Sequence, residues 1–394
     1  MSRTGPVSGS AAPCSTPKTR RKARAPSPRS APPAGRAVSQ KEPRMTSNEA
    51  PLRIGLIGAG GNMKLRHIPG FQETGEVELV SVCNRSEASG RAIADEYGIP
   101  RVEPDAATLL AAGDIDAVCV GTWPYKHRDL TIAALEAGKH VLCEARMAMN
   151  ATEAREMLAA SEAHPDLVAQ LVPAPFDFKS WRTVRRLLED GSIGDVRDVH
   201  VTVLGGASLN LDAPLHWRDR TDLSGMNVMA YGIYTEIVGR WFGPTGSVLA
   251  HGETFIRERT NAETGERTAI EVPDSLGVFA ELERGGRVTY RVSTVLHAAP
   301  PEANGISVYG SAGTLHWRLG DTMTFAPLGE DPAPLDPDPG TAGEWRVEQD
   351  FVDSIRRDAP VTLTSFPDGV EYMRVIEATH RSRTEGRAVD LSEV

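Results

Sequence analysis

Residues 52–67 have the sequence Leu52-Arg-Ile-Gly-Leu-Ile-Gly-Ala-Gly-Gly-Asn-Met-Lys-Leu-Arg-His67 and carry the clearest structural signal in the chain. A short apolar run ends in three glycines, Gly58, Gly60 and Gly61, and helix-compatible residues follow. This order predicts a strand, a tight turn and a helix start, the opening of a dinucleotide-binding βαβ unit. Gly58 permits the turn, Gly60 lets backbone approach a pyrophosphate, and the helix start beyond offers free N–H groups to an anion.

The motif departs from the usual pattern at its third position, where Met63 stands in place of a glycine. That glycine normally allows close packing of helix against strand. We expect Met63 to loosen this packing without blocking the pyrophosphate. Asn62 and Met63 therefore join the glycines as predicted cofactor-binding residues.

Charge divides the chain into a basic head and an acidic body. Residues 1–50 carry ten Lys and Arg against two Asp and Glu, a net charge of +8, and the remainder carries −18. The acidic body argues against a nucleic-acid-binding surface. With 394 residues, the chain is long enough for two domains with a large core.

The head is rich in Pro, Ser, Ala and Arg, so we expect it to be disordered. Three interpretations stay open: an over-extended start with Met45 as the true initiator, a targeting segment, or a weak polyanion-binding arm. We favour the first, because regular structure is predicted to begin close to Met45.

The apolar runs and the cysteines indicate the cellular compartment of the protein. No apolar run approaches the ~20 residues of a membrane span, and no signal-peptide core is present. The cysteines show no metal-ligand spacing, and three of them, Cys83, Cys119 and Cys143, lie in apolar runs. We expect a cytoplasmic protein with reduced thiols, no metal, and neither nucleic-acid nor membrane partners.

From residue 51 onward strand and helix patterns alternate, which predicts a parallel, doubly wound sheet. The predicted strands are 53–57, 77–83, 117–121, 140–143 and 167–172. The predicted helices are 86–97, 106–112, 127–137 and 151–163.

The second half reads as a mixed sheet with helices on one face. The predicted helices are 181–189, 227–242, 344–357 and 366–384. The predicted strands are 196–204, 248–255, 276–283, 287–295, 306–310 and 314–317, with a proline-rich surface loop at 331–340. The fold class is therefore α/β: a disordered tail over 1–50, a Rossmann domain over 51–172, and a C-terminal α/β domain with an open mixed sheet over 173–394.

Several ordered landmarks together resemble the glucose–fructose oxidoreductase / inositol dehydrogenase / rhizopine catabolism family, written Gfo/Idh/MocA. They are the glycine motif with His67, Asp116-Ala-Val-Cys-Val-Gly-Thr-Trp-Pro-Tyr-Lys-His127, Ala134-Leu-Glu-Ala-Gly-Lys-His-Val-Leu-Cys-Glu144, Val308-Tyr-Gly-Ser-Ala-Gly-Thr-Leu315 and Phe351-Val-Asp-Ser-Ile355. The resemblance covers residues 51–394. It implies hydride transfer between a nicotinamide cofactor and a hydroxyl or carbonyl carbon of a sugar-like small molecule, and homodimers or homotetramers built on the C-terminal sheet.

The residues after the second strand bear on the choice between NAD and NADP. An acid there holds the ribose 2′-hydroxyl of NAD, but the strand ends in Asn84-Arg85-Ser86, and the nearest acid, Glu87, lies on the helix start. Arg85 and Ser86 can bind a 2′-phosphate. We expect NADP, with NAD possible, although Arg85 also fits an ordinary surface role.

The family resemblance places a further set of residues near the cofactor. Trp123 stacks on nicotinamide or caps the core, His127 fits a helix-start or surface role better than catalysis, and His67 lies near the phosphates or is structural. The further residues predicted to bind the cofactor are Thr122, Trp123, Pro124, His127 and Glu144.

The residues that carry catalysis in the family are replaced here. The family uses the lysine of a Glu-Lys-Pro motif and an Asp–x–x–x–His pair on a helix of the second domain. The first motif reads Glu144-Ala-Arg146, so Ala145 replaces the lysine. The aspartate becomes Ala230 and the histidine becomes Tyr234.

Three other residues are predicted to supply the acid–base chemistry. Tyr234 serves as acid/base if a nearby cation lowers its pKa. Arg146 is a candidate for that cation and for oxyanion stabilisation, although a surface role is equally consistent with the sequence. His216 could relay protons, but a plain loop histidine explains it better.

The strand leading into the second domain bears on the substrate. Pro173, Ala174 and Pro175 stand where many relatives present polar groups to a sugar. With Met226, Met229 and Trp217 nearby, we expect a less polar pocket. Two alternatives to a dehydrogenase or reductase stay open: a cofactor-binding regulatory protein without redox chemistry, and an enzyme that oxidises its substrate only transiently.

Overall fold

The computed structural model describes residues 50–228, 230–299 and 304–394. The expectations for the basic head, for Met45 and for Met229 lie outside these residues. No helix within the described ranges combines the length and apolar character needed to cross a bilayer.

A six-stranded parallel sheet forms the first layer, in the order β3-β2-β1-β4-β5-β6. Its strands are β1 (Leu52–Ile57), β2 (Val77–Cys83), β3 (Arg101–Val102), β4 (Ala117–Val120), β5 (His140–Cys143) and β6 (Ala169–Leu171). The chain leaves β1 through a π-helical segment, Met63–His67, that runs into α1 (Ile68–Thr74). The other helices are α2 (Glu87–Tyr97), α3 (Ala106–Ala111), α4 (His127–Glu136) and α5 (Ala151–Ala163).

The strand order reverses beside β1, so the crevice for a ligand opens where β1 and β4 end. Strand β4 is buried along its whole length, as expected for a parallel sheet covered by helices on both faces. The predicted Rossmann layer is therefore confirmed.

A nine-stranded mixed sheet forms the second layer, in the order β16-β15-β14-β13-β7-β12-β11-β8-β17. Its neighbours are antiparallel except β12 and β7, which run parallel. The strands of this half are β7 (Val196–Leu204), β8 (Thr245–Glu253), β9 (Glu258–Thr260), β10 (Arg267–Ala269), β11 (Ser275–Leu282), β12 (Arg287–Ser293), β13 (Gly305–Gly310), β14 (Gly313–Arg318), β15 (Thr322–Pro327), β16 (Ala333–Leu335) and β17 (Val389–Asp390). The helices are α6 (Trp181–Glu189), α7 (Thr221–Ser224), α8 (Tyr231–Phe242), α9 (Val347–Arg357) and α10 (Phe366–Glu385).

Helices α8 and α10 cover one face of this sheet, and the other face is open. Alternate residues of β11 are buried, while Phe279 points outward and is 64% exposed. Its register partner on β8, Leu249, is also exposed. The predicted open mixed sheet with helices on one face is confirmed.

Some predicted boundaries were wrong. The helix predicted to begin at residue 227 begins at Tyr231, because the Asn227 side chain donates to the carbonyl of Ser224 and holds a loop there. The predicted loop at 331–340 contains β16. The sequence reading also missed β3, the β9–β10 hairpin, β15 and β17, which are short or lack clear alternation.

Candidate active site

The glycine turn leaves open space at the end of β1. Gly58 has φ +80°, and a Cβ at this position would lie 2.6 Å from Cγ2 of Thr122, so only glycine fits. A Cβ at Gly61 would meet no atom within 4 Å. The turn is thus tight on its inner side and unobstructed on its outer side, as close approach of a pyrophosphate requires.

Met63 packs closely rather than loosely. Its side chain is buried, and its sulfur lies 3.6 Å from the sulfur of Cys119. A Cβ at Gly121 would lie 2.5 Å from Cγ of Met63. A glycine at the end of β4 therefore provides the space that Met63 takes up, and the expectation of loosened packing was wrong.

The three residues after β2 have different tasks. Asn84 accepts a hydrogen bond from the backbone N–H of Ala59 at 2.6 Å and so fixes the glycine turn. Ser86 caps α2 by accepting from the N–H of Ser89. Arg85 is 76% exposed and pairs with the equally solvated Glu263 at 3.3 Å. Of the three, only Arg85 has a side chain that is free to turn toward a ligand, because an exposed pair of this kind contributes little stability.

A buried histidine, His127, holds the loop after β4 in place. Nε2 of His127 lies 3.0 Å from the carbonyl oxygen of Thr122, and Nδ1 lies 3.0 Å from that of Arg146. His127 begins α4 as predicted, but it is fully buried rather than on the surface. It ties the loop after β4 to the loop after β5.

Above this histidine, Trp123 stacks on Trp217 of the second domain, with ring centroids 5.6 Å apart and an interplanar angle of 13°. Pro124 is buried and begins a short 3-10 turn. The ring partner of Trp123 is therefore an aromatic residue outside the buried core.

A buried charge network lies behind the glycine turn. His67 is fully buried, with Nδ1 2.6 Å from Oε1 of Glu348 and Nε2 3.0 Å from Oε1 of Glu144. Burial alone would lower the pKa of His67, but the two carboxylates outweigh it and raise that pKa to about 9. Glu144 also accepts from Asn62 and from the backbone N–H of Ala145.

Burial by itself would raise the pKa of Glu144, but its hydrogen bonds to His67 and Asn62 and the charge of His67 lower it to about 2. Glu144 is therefore ionised, and it links Asn62 beside the glycine turn to the end of β5. His67 has a structural position here, behind the turn.

A nicotinamide dinucleotide fits these residues. Oγ1 of Thr122 is buried beside Gly58 and has no hydrogen-bond partner among the described residues. The open outer side of the glycines and this unpartnered hydroxyl together offer space and a polar contact at the point where dinucleotides bind such sheets. The same crevice brings together the turn, Thr122, Trp123 and Glu144.

Arg146 lies in a buried ion pair rather than on the surface. Its Nη1 donates to Oε2 of Glu236 at 2.5 Å, and both side chains are at most 10% exposed. Glu236 also accepts from the N–H of Ala174, from Arg240 and from Thr364. The guanidinium of Arg146 thus joins the loop after β5 to α8.

Tyr234 lies on α8 among aromatic residues. Its ring packs against Phe176 and Trp317, with centroids 6.1 Å and 6.5 Å away. Only 1% of the residue is exposed, and burial raises the pKa of its hydroxyl to about 12. The expected lowering of this pKa by a nearby cation was wrong, because Arg146 is bound to Glu236.

The hydroxyl of Tyr234 makes no hydrogen bond to any described residue, and burial alone shifts its pKa. This oxygen is not fully buried, so a small part of its surface stays accessible. A polar group in this state can bond to a ligand without first breaking a bond inside the protein.

His216 caps a 3-10 turn, Trp217–Asp219. Its Nδ1 accepts from the N–H of Arg218 at 3.2 Å, and its ring lies against Trp217. Burial, with help from Arg218, lowers the pKa of His216, so the ring is neutral near pH 7. The structure shows no contact between His216 and Tyr234.

Two carboxylates of this region were missed by sequence reasoning. Glu236 and Glu348 are both buried, and each holds a cation in place. One signal was available for Glu236: it stands four residues before Arg240 in the otherwise apolar helix α8, and the two side chains pair at 2.8 Å. For Glu348, which lies on an amphipathic helix with other acids, we see no signal in the sequence.

Two family models match the chain. The model described as the oxidoreductase family with NAD-binding Rossmann fold covers residues 52–171, and the Gfo/Idh/MocA C-terminal domain covers residues 181–316. Together they span well over half of the chain.

Similar proteins support the same grouping. A 1,5-anhydro-D-fructose reductase of Ensifer adhaerens is 30% identical over 304 residues, which cover 72% of this chain and 83% of that protein. Inositol 2-dehydrogenase 1 of Saccharopolyspora erythraea is 26% identical and covers 86% of this chain and 96% of that protein.

A solved structure of levoglucosan dehydrogenase in complex with NADH and L-sorbose superposes with a TM-score of 0.75. At 20% identity over 86% of this chain and 98% of that one, it shows a shared fold. From the sheet order, the dinucleotide crevice and these matches, the chain belongs to the Gfo/Idh/MocA family of NAD-binding oxidoreductases.

Proposed function

We propose that the protein moves a hydride between a nicotinamide cofactor and a hydroxyl or carbonyl carbon of a sugar-like small molecule. The family supports the reaction class, and the names of the relatives, a sugar reductase and an inositol dehydrogenase, support the substrate class. The open glycine turn and the unpartnered hydroxyl of Thr122 support nicotinamide-dependent chemistry in this protein.

One observation carries the assignment of the proton-transfer residue. Tyr234 is a buried residue whose hydroxyl has no hydrogen-bond partner among the described residues, and burial raises its pKa to about 12, at the position that matches the family's histidine. The tyrosine is therefore protonated at neutral pH and has a proton available for a substrate oxygen. Its lone hydroxyl needs no internal hydrogen bond to be broken before a substrate oxygen binds.

A bound nicotinamide would supply or accept the hydride. In reduction, the substrate carbonyl carbon gains the hydride, the C=O double bond becomes a single bond, and Tyr234 gives its proton to the oxygen. Solvent then returns a proton to Tyr234. The glycine turn would hold the cofactor together with four side chains, those of Asn62, Arg85, Thr122 and Trp123. The backbone around them is fixed by hydrogen bonds with Asn84, His127 and Glu144.

Purified protein, NADH or NADPH, and a panel of ketoses, aldoses and inosose ketones test the proposal. We expect loss of the reduced-nicotinamide absorbance with at least one member, and the reverse change with the matching alcohol and the oxidised cofactor. Absence of any change across the panel in both directions would contradict the proposal.

A second candidate is a regulatory protein that binds the cofactor but has lost redox chemistry. The replacement of the family's lysine and aspartate by Ala145 and Ala230 favours it. Tight cofactor binding in calorimetry, with no turnover on the panel, would support it. Turnover of substrate with no net change in cofactor would instead support the transient-oxidation alternative.

Cofactor preference is a proposal supported by Arg85. We infer that NADP is preferred, because Arg85 is exposed, follows β2, and has only a weak surface partner in Glu263. Substituting Arg85→Ala should raise the KM for NADPH by about 10- to 100-fold, the loss expected for one charge-assisted hydrogen bond, with little effect on NADH. Arg91→Ala, an exposed arginine on the helix α2 that follows Arg85, is the control. Equal effects on both cofactors would contradict the preference.

Self-association through the open sheet is likewise proposed, supported by the exposed pair Phe279 and Leu249. We expect Phe279→Asp to reduce the mass in light scattering from that of a homodimer or homotetramer to that of a monomer. Leu328→Asp, an exposed residue on a turn, should leave the mass unchanged. An unchanged mass for Phe279→Asp would exclude this face.

Location and domain boundaries are also proposals. The free, buried thiols of Cys83, Cys119 and Cys143 support a reducing compartment such as the cytoplasm. The end of β6 at Leu171 and the two family-model matches support a boundary near residue 172.

A further inference from the structure

A cavity of about 420 Å³ lies between α10, the start of α5 and the loop that leads into α8. Tyr234, Arg146 and the glycine turn are not among the described residues that line it, so it is separate from the candidate active site. Glu271, which is exposed to solvent, lies at its wall. A molecule can therefore reach this cavity without passing through the dinucleotide crevice.

One part of the cavity wall is apolar. It is formed by the side chains of Met149, Met226, Val228, Val272 and Pro273. Met226, which we expected near the substrate, lies here. Because unbranched methionine side chains adjust to the shape of a bound group, this part of the cavity suits an aliphatic or thioether side chain.

Two side chains of opposite charge line the same cavity but do not pair with each other. Arg383, in the last turn of α10, makes no hydrogen bond or ion pair with any described residue. Glu271 accepts a hydrogen bond from the hydroxyl of Thr221 and has no cationic partner within the described ranges. A positive and a negative group held apart in this way are complementary to a ligand that carries one charge of each sign.

The backbone of β8 makes room for the Arg383 side chain. A Cβ at Gly252 would lie 2.9 Å from Cδ of Arg383, so the stem of the arginine lies directly on the strand. His380, three residues earlier on α10, lines the cavity from the same face of the helix. Burial and the charge of Arg383 lower the pKa of His380 against the opposing charge of Glu377. The ring is therefore neutral near pH 7 and leaves the guanidinium as the cation of this cavity.

We propose that this cavity binds an α-amino acid with an apolar side chain. Arg383 would bind the carboxylate through two hydrogen bonds, Glu271 would bind the ammonium group, and the apolar wall would take the side chain. A phosphate monoester fits less well, because its second negative charge would face Glu271. The inference goes beyond the proposed function and does not depend on it.

The cavity is connected to the candidate active site through one loop. At Gly225 a Cβ would clash with the carbonyl oxygen of Met149, and the N–H of Met226 donates to the same oxygen at 3.1 Å. The loop is thus held against the segment after β5, and it continues into α8, which carries Tyr234. A ligand that contacts Met226 and Val228 should therefore restrain the start of α8.

Isothermal titration calorimetry on the full chain tests the proposal with valine, leucine, methionine and glycine. We expect at least one of the first three to bind with a Kd below about 1 mM, and glycine to bind about tenfold more weakly, because it has no apolar side chain. Analogues of the tightest ligand that lack the amino group or the carboxylate should each bind about tenfold more weakly. For leucine these are 4-methylpentanoate and 3-methylbutylamine.

Substitutions locate the site. Arg383→Ala should weaken binding of the amino acid by about tenfold or more and leave the amine analogue unchanged, and Arg383→Lys should restore part of the loss. Glu271→Gln should weaken the amino acid but not the analogue without the amino group. Arg155→Ala, an exposed arginine on α5 that does not line the cavity, is the matched control and should have no effect.

Three results would overturn the inference: no binding of valine, leucine or methionine below about 1 mM, equal binding of the amine analogue, or binding that Arg383→Ala leaves unchanged. Hydrogen exchange of the amides of residues 225–228 should slow when the amino acid binds wild type, and unchanged exchange would contradict contact with the loop. Neither measurement uses turnover, so failure of the proposed function would leave these results intact.

Discussion

Replacing Tyr234 by phenylalanine should lower kcat by roughly 100- to 10,000-fold, the contribution typical of a positioned acid–base group. The substitution removes one oxygen from a ring that packs against Phe176 and Trp317, so the shape of the site is kept. Because the hydroxyl has no hydrogen-bond partner among residues 50–228, 230–299 and 304–394, its removal leaves no donor or acceptor unpaired there. Steady-state kinetics on the substrate found in the panel measures the effect.

The Kd for the cofactor and the unfolding midpoint should stay close to wild type in this variant. Tyr290→Phe is a matched control, since its hydroxyl likewise has no partner among the described residues but is fully buried against Tyr231. Full activity of Tyr234→Phe would remove the residue from the mechanism. Since the pKa of Tyr234 is raised to about 12, its proton should not limit the rate of reduction between pH 6 and 9.

Replacing His67 by glutamine should lower the free energy of unfolding by about 3–5 kcal/mol, the usual result of removing one member of a buried ion pair. Glutamine keeps a hydrogen-bonding group but removes the positive charge between Glu144 and Glu348. Two buried carboxylates would then face each other without a positive charge between them, with only neutral donors such as Asn62 and Trp345 left to bond them. Urea unfolding of the variant and of His251→Gln, an exposed histidine, measures the difference.

The pH dependence of this effect has a definite sign. The pKa of His67 is raised from 6.5 to about 9, so its contribution is complete below pH 6.5 and is lost as pH rises through about 9. The pKa of Glu144 is lowered from 4.5 to about 2, so its contribution is complete above pH 4.5 and is lost as pH falls through about 2. Wild-type stability should therefore decline from pH 6.5 to 9, while His67→Gln shows less decline; equal slopes would contradict the network.

The fold could be predicted because its signals are local in sequence. The glycine turn after an apolar strand, and the alternation of strands and helices to Leu171, specify a doubly wound sheet without knowledge of distant contacts. The alternating pattern of β11 likewise predicts one buried face and one open face. Short elements such as β3 and the β9–β10 hairpin were not predicted, because a strand of two or three residues is too short to show a periodic pattern.

The site was harder to predict because its contacts join distant residues. Arg146 and Glu236 are 90 positions apart, and His67 and Glu348 are 281 apart, so no spacing in the sequence reveals either pair. The same limit explains Met63, whose fit depends on Gly121 at the end of β4. Arg146 matched a family position, yet its partner and hence its structural task became visible only in three dimensions.

The most direct test of net hydride transfer follows one labelled atom. NADH or NADPH carrying deuterium at the transferable position of C4 is mixed with the carbonyl substrate in a single turnover, and mass spectrometry measures both products. We expect one deuterium bound to the carbinol carbon of each product molecule and an equal amount of oxidised cofactor. Product without deuterium, or product formed while the cofactor stays reduced, would rule out net hydride transfer.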